Sequence, residues 1–67
     1  MSAWVKEETR GGVVHVEAGG DDRRAVQAAV SDYLRRWPPA GYDTRFGTVA
    51  RSGDGFRAVG SRLRSCD

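Results

Sequence analysis

A single helical pattern in the middle of the chain most constrains its fold. Apolar side chains recur at spacings of three and four between two strong breaks, Gly19-Gly20 and Pro38-Pro39. They are Val26, Ala29, Val30, Tyr33, Leu34 and Trp37. This spacing places them on one stripe of a helix. Asp21 or Asp22 caps its first turn, and the two prolines stop it after about Arg36.

Both segments that flank this helix have the pattern of a β-hairpin. The predicted strands are residues 2–10, 13–18, 43–51 and 56–64. Gly11-Gly12 forms the first turn, and Ser52-Gly53-Asp54-Gly55 forms the second. The order ββαββ predicts an α+β fold, with a four-stranded, mostly antiparallel sheet and one helix packed on one face. Residues 1–67 form a single small domain.

The second hairpin sorts into two faces because strand side chains alternate. With the turn at Asp54-Gly55 or at Gly53-Asp54, the same residues share a face. The more apolar set is predicted to pack on the helix: Phe46, Thr48, Ala50, Val59 and Leu63. The other set is predicted to face outward and to carry a basic platform: Arg45, Arg51, Phe56, Arg62 and Arg64, with Gly47, Val49, Ala58 and Gly60 between them.

The first hairpin sorts in the same way. Its more apolar set is predicted to face the helix: Ala3, Val5, Glu7, Val14, Val16 and Ala18. Trp4 and His15 then lie on the outer side, beside the basic platform. Trp4 is either a core residue or a contact for a partner, since Trp and Arg are enriched at binding hot spots.

Charge is unevenly distributed along a chain whose net charge is +2. Residues 1–22 hold two basic and five acidic side chains, whereas residues 23–67 hold nine arginines and four aspartates. Arginine suits phosphate and carboxylate recognition better than lysine does, and a GC-rich genome also favours arginine. The predicted platform would match the spacing of phosphates along a nucleic-acid strand, and Phe56 could stack a base. A solvated basic face is the alternative.

The sequence carries no pattern typical of catalysis or of a cofactor. His15 and Cys66 are the only residues of their types, which excludes an intrachain disulfide and disfavours zinc. No apolar run is long enough for a membrane span, and we expect a cytoplasmic protein. A core this small often needs a second copy for stability, so a homodimer is also expected as an option.

The segment from Pro38 to Thr44 has two interpretations. It is either a rigid connection with Tyr42 packed beneath it, or a presented loop whose Trp37 and Tyr42 contact a partner. The second interpretation supports a protein–protein adaptor or inhibitor, dimeric and acting through exposed aromatics, as the alternative function.

The layout resembles that of small phage-encoded anti-CRISPR inhibitors. The shared features are a short hairpin, one helix, the Gly47-Thr48-Val49 strand, a glycine-containing hairpin and the terminal Ser65-Cys66-Asp67. The resemblance implies a protein that occupies a charged nucleic-acid-binding groove of a larger complex. We therefore hypothesise a non-enzymatic module that engages nucleic acid or a nucleoprotein complex through Arg45, Arg51, Phe56, Arg62, Arg64 and Trp4.

Overall fold

A computed structural model describes residues 3–64 of the chain. Its elements are β1 (Ala3–Arg10), β2 (Val13–Gly20), α1 (Arg23–Arg36), α2 (Pro39–Tyr42), β3 (Arg45–Phe46), β4 (Ala50–Ser52) and β5 (Gly55–Leu63). The predicted α+β class is confirmed: one antiparallel sheet lies against one main helix. The predicted third strand is divided into β3 and β4, so the sheet has five strands rather than four.

β2 lies between β1 and β5, which are the first and last strands within residues 3–64. β1 pairs with β2 across the turn at Gly11-Gly12, where Gly11 has a φ of 62°. β2 pairs along its whole length with β5, from Val13 opposite Leu63 to Gly20 opposite Phe56. β3 and β4 both pair with the other edge of β5, which gives the order β1-β2-β5-β3.

A bulge separates β3 from β4. Gly47 donates its N–H to the carbonyl of Val59 at 2.9 Å, and Ala50 lies opposite Arg57. Thr48 and Val49 therefore lie opposite the single residue Ala58, so this edge holds one extra residue. The extra residue reverses the alternation of side chains between β3 and β4.

The helix α1 begins and ends where the sequence predicts. Asp22 is the N-cap, and its carboxylate accepts a hydrogen bond from the Arg24 N–H at 3.1 Å. At the other end, Trp37 donates its N–H to the carbonyl of Tyr33 at 2.9 Å. The chain then turns through α2, and Asp43 closes that turn in the left-handed conformation, at a φ of 50°.

The core lies between α1 and the helix-facing side of β2 and β5. Its buried apolar residues are Val14, Val16, Ala18, Val26, Val30, Tyr33, Val49 and Ala58. Phe46, Phe56, Leu34 and Trp37 are half-buried against them. The prediction that Val14, Val16 and Ala18 face the helix agrees with their burial.

The predicted orientation of the second hairpin is wrong. Val59 and Leu63 were expected under the helix, but their side chains are 58% and 43% exposed. Ala58 is buried in their place, because it lies opposite the buried Ala18 of β2 and packs with Val26 and Val30 of α1. Phe46 faces the core only because the bulge shifts it relative to Ala50, which is exposed.

Candidate interaction surface

The arginine platform predicted on the second hairpin does not form. Arg62 is only 8% exposed, and Phe56 is half-buried against the core. Both lie on the helix-facing side of β5, in alternation with the exposed Val59 and Leu63. Two of the six predicted interface residues are therefore part of the interior of the domain.

The remaining predicted arginines are exposed but lie apart from one another. Arg45 is opposite Ser61 and pairs with the Asp43 carboxylate at 3.3 Å. Arg51 lies opposite Phe56, near the second hairpin turn. Arg64 follows the opposite end of β5, where its N–H bonds to the Gly12 carbonyl. The structure does not gather these three side chains into one basic surface.

Arg62 is held by a polar and aromatic cluster that joins β1, α1 and β5. Its Nε donates to the Tyr33 hydroxyl at 2.6 Å, and its Nη2 lies 3.2 Å from a Glu7 carboxylate oxygen. Tyr33 in turn donates to the same Glu7 oxygen at 2.6 Å. The guanidinium carbon lies 3.8 Å from the centroid of the Trp37 ring. These three partners all belong to the domain itself, so Arg62 serves to hold β1, α1 and β5 together.

The electrostatics of this cluster agree with its geometry. The hydrogen bond from Tyr33, together with Arg62, holds the pKa of Glu7 below its ordinary value of 4.5. Burial and the neighbouring Glu7 raise the pKa of Tyr33 above its ordinary value of 10.0. Glu7 is therefore a charged carboxylate, and Tyr33 a neutral donor, over the physiological range of pH.

Trp37 and Tyr42, proposed as partner contacts in the alternative function, pack against each other. Their ring centroids are 5.0 Å apart and the ring planes meet at 87°. Both side chains are half-buried, and Trp37 also covers Arg62. The segment from Pro38 to Thr44 is thus a packed connection between α1 and the sheet.

The sheet face turned away from α1, here called the outer face, is covered by neither helix. Its residues on β1, β2 and β5 are Trp4, Lys6, Glu8, Arg10, Val13, His15, Glu17, Gly19, Arg57, Val59, Ser61 and Leu63. Arg45 of β3 and Ala50 of β4 lie opposite Ser61 and Arg57 on the same face. Val13 lies directly opposite Leu63 at one end of this face, whereas Val59 lies further along β5, beyond Ser61 and opposite Glu17. Val59 and Leu63 are large apolar side chains that this face leaves 58% and 43% exposed.

Two pairs of charged side chains lie beside these apolar residues. Arg57 pairs with Glu17 on the neighbouring strand, and Arg10 pairs with Glu8 at 2.7 Å. A shallow depression beside them is lined by Lys6, Glu8, His15 and Val59, among others. The outer face thus combines exposed apolar side chains with two internal ion pairs.

Trp4 lies on the outer face, as predicted, and its side chain is 41% exposed. Its ring covers Gly19, the residue directly opposite on β2, so closely that a Cβ at Gly19 would overlap it. The Lys6 ammonium lies 5.4 Å from the centroid of the ring. Contact with Gly19 therefore fixes the Trp4 ring at the end of the outer face and leaves one side of the ring accessible to a partner.

Sequence reasoning missed the inward position of Arg62 and the outward position of Val59 and Leu63. One signal was present: Glu7 was predicted to face the helix, and an inward carboxylate needs a cation beside it. Tyr33 and Trp37 on the same stripe offered a hydroxyl acceptor and a ring face for that cation. The number of apolar residues on each face carries no information about the need of Glu7 for a neighbouring cation.

Among residues 3–64, no group of three or more His, Cys, Asp or Glu side chains could hold a metal ion. Within the same part of the chain, no helix is long and apolar enough to cross a membrane. Cys66 and the terminal residues used in the anti-CRISPR resemblance lie outside the described residues. Comparison of the chain with protein-family models, curated proteins and solved structures finds no match.

Proposed function

We propose that this domain is a non-enzymatic binding module that engages a protein partner through its outer face. The observation that carries the proposal is the exposure of Val59 and Leu63 on the uncovered face of the sheet, with Val13 directly opposite Leu63. Val59 and Leu63 are 58% and 43% exposed although the sheet belongs to a domain with few apolar residues to spare. Trp4 at the end of the face supplies the type of aromatic anchor that dominates binding energy at interfaces.

The charge pattern favours a protein over a nucleic acid at this face. Arg10, Arg45 and Arg57 each have a carboxylate partner within the described chain. A phosphate backbone would have to displace those carboxylates, whereas a polar protein rim could accommodate them. Inhibition of a larger complex, as in the anti-CRISPR proteins that the layout resembles, would be one use of such a surface.

The proposal is tested by affinity capture with matched variants. A Val59→Lys/Leu63→Lys double variant places two charges on the outer face, one within β5 and one at its end, and a Gln27→Lys/Ala28→Lys double variant adds the same charge to exposed positions of α1. We expect the original chain and the helix variant to recover the same protein, and the outer-face variant to lose it. The captured protein must still be recovered after nuclease treatment, and it must bind the domain again when both proteins have been purified. Equal recovery by both variants would contradict the proposal.

Nucleic acid is a second candidate because several cations have no ion pair within residues 3–64. They are Lys6, Arg23, Arg24, Arg35, Arg51 and Arg64. If these side chains contact phosphates, fluorescence polarisation with single- and double-stranded oligonucleotides should show binding that falls steeply as salt rises from about 50 mM. An absence of binding at the lower salt concentration rejects this candidate.

A further inference from the structure

Within residues 3–64, the outer edge of β1 has backbone hydrogen-bonding groups that bond to no other strand, and hydrogen bonds elsewhere in the sheet identify them. Arg64 donates its N–H to the carbonyl of Gly12, so the even-numbered residues of β2 bond toward β5. The odd-numbered residues of β2 therefore bond toward β1, where Val13 lies opposite Arg10. It follows that the backbone groups of the even-numbered residues of β1 form hydrogen bonds to β2. The backbone groups of the odd-numbered residues point away from the sheet: Ala3, Val5, Glu7 and Thr9.

The two edges of the sheet differ in how they could receive another strand. The edge formed by β3 and β4 is short and interrupted by the bulge at Thr48 and Val49, a feature that blocks edge pairing. The edge at β1 is regular over eight residues, and every one of its side chains is exposed. Among residues 3–64, no strand pairs with this edge.

We propose that a second copy of the chain pairs with β1 through its own β1. The two strands run antiparallel about a two-fold axis that passes through Glu7, perpendicular to the sheet. Glu7 then lies opposite Glu7 of the second copy, and Val5 lies opposite Thr9. All of these residues have outward-pointing backbone groups, so the pairing supplies about six hydrogen bonds. This inference stands independently of the proposed function.

The charges of the outer face are complementary in this register. Lys6 lies opposite Glu8 of the second copy, and Glu8 lies opposite its Lys6. These are the non-hydrogen-bonded positions of the pairing, where side chains approach most closely. Trp4 lies opposite Arg10 of the second copy, so a guanidinium can approach the ring that Lys6 already approaches. β1 thus contains both members of each favourable pair, so two copies of this strand are complementary to each other.

Neighbouring registers bring like charges together. Sliding the strands by two residues in one direction places Lys6 opposite Lys6 of the second copy. Sliding by two in the other direction places Glu8 opposite Glu8 and Lys6 opposite Arg10. Slips by one residue pair an outward backbone group with one already bonded to β2. The register centred on Glu7 is therefore selected by charge and by hydrogen bonding together.

The like-charged pair at the centre, Glu7 opposite Glu7, is already neutralised within each copy. Each Glu7 carboxylate accepts a hydrogen bond from Tyr33 and pairs with Arg62 of its own chain. Its charge is thus directed toward the helix of its own copy. Like charges opposite one another destabilise a strand pair when they are uncompensated, which is not the case here.

The helices leave room for this pairing. α1 packs against β1, β2 and β5, so it lies over the region of β2, the middle of these three strands. The two copies of β2 would be three strand spacings apart, about 14 Å at 4.8 Å per strand. Packed helices approach to 8–10 Å, so the two helices would lie side by side without overlap. Their separation leaves Val5 and Thr9 at the floor of a groove.

The test combines mass measurement with charge reversal. Analytical ultracentrifugation between about 1 µM and 1 mM should show the 7.3 kDa chain approaching twice its mass. Lys6→Glu places two carboxylates opposite each other at each of the two sites, and Glu8→Lys places two ammonium groups there. We expect either variant alone to dimerise at least about tenfold more weakly. An equimolar mixture of the two should restore the dimer, because each site then holds one charge of each sign.

Proline substitution tests the backbone pairing separately. Thr9→Pro removes an N–H that makes no bond to β2, so the hairpin should persist while dimerisation is lost. Thr9→Ala retains the N–H and should dimerise, and circular dichroism checks that both variants fold. A chain that stays monomeric at 1 mM overturns the proposal, as does a dimer that neither Thr9→Pro nor the charge reversals affect. Neither result bears on the outer-face variants that test the proposed function.

Discussion

At the scale of single residues, Arg62 organises the interior of the domain. Its side chain meets the hydroxyl of Tyr33, the carboxylate of Glu7 and the ring of Trp37, which come from two other elements and from the residue that ends α1. A guanidinium has five donors and a flat face, so it can satisfy all three partners at once. Lysine in its place could provide the charge but not this geometry.

We expect Arg62→Ala to lower the free energy of unfolding by about 2–4 kcal/mol, because it leaves Glu7 and Tyr33 without their cation and removes the group packed on Trp37. Urea unfolding followed by circular dichroism measures the change. Arg51→Ala serves as the control, since Arg51 is exposed and makes no ion pair within residues 3–64, and its effect should stay within about 0.5 kcal/mol. Equal effects of the two substitutions would contradict a structural role for Arg62.

The lowered pKa of Glu7 predicts that stability depends on acidity. The unfolded chain protonates Glu7 near 4.5, whereas the folded chain holds the carboxylate charged to a lower pH. The contribution of Glu7 is therefore complete well above pH 4.5 and is lost as the pH falls through the folded-state value. We expect Glu7→Gln to lose less stability between pH 7 and pH 3 than the original chain does. Urea midpoints at the two pH values measure this, and parallel losses would refute it.

At the scale of elements, the helix and the two hairpin turns could be predicted from local residues. Asp22, the apolar stripe and Pro38-Pro39 set the bounds of α1, and Gly11-Gly12 set the first turn. Each of these signals acts within a few residues of where it appears. The bulge has no such signal, because Thr48 and Val49 have ordinary strand character and their displacement is set by packing on Ala58.

The bulge and the choice of which face of β5 packs on the helix together made the candidate site harder to predict than the fold. A face assignment carried along a strand fails wherever one residue is inserted, and the error then moves every side chain beyond that point. Trp4 was placed correctly because β1 and β2 pair without interruption. Arg62 and Phe56 were misplaced because apolar count alone favoured Val59 and Leu63 as core residues.

The close contact between Trp4 and Gly19 predicts a specific sensitivity of the first hairpin. Gly19→Ala would place a methyl group where the indole ring now lies, so the ring must move into solvent. We expect the indole resonance of Trp4 to shift in a ¹H–¹⁵N spectrum while that of Trp37 stays in place. Gly12→Ala adds a methyl group that meets nothing within 4 Å, and it should leave both resonances unchanged. Movement of Trp37 alone would be inconsistent with this geometry.

At the scale of the whole molecule, a one-layer sheet under a single helix leaves half of its area outside the core. The two faces of the sheet therefore differ sharply in how well they tolerate substitution. We expect Val59→Lys to change the free energy of unfolding by no more than about 0.5 kcal/mol, and Val49→Ala to lower it by about 1–3 kcal/mol. Thermal or urea unfolding compares them directly. A larger loss from the Val59 substitution would mean that the outer face is a core surface.

The central position of β2 has a consequence for the order of folding. Its partner β5 is the last strand of the described chain, and paired residues such as Val13 and Leu63 are far apart in sequence. The first hairpin and α1 can form from local contacts, but the native sheet must wait for loop closure over most of the chain. Folding should therefore be limited by the docking of β5, and substitutions in β5 should slow refolding more than substitutions in the first turn.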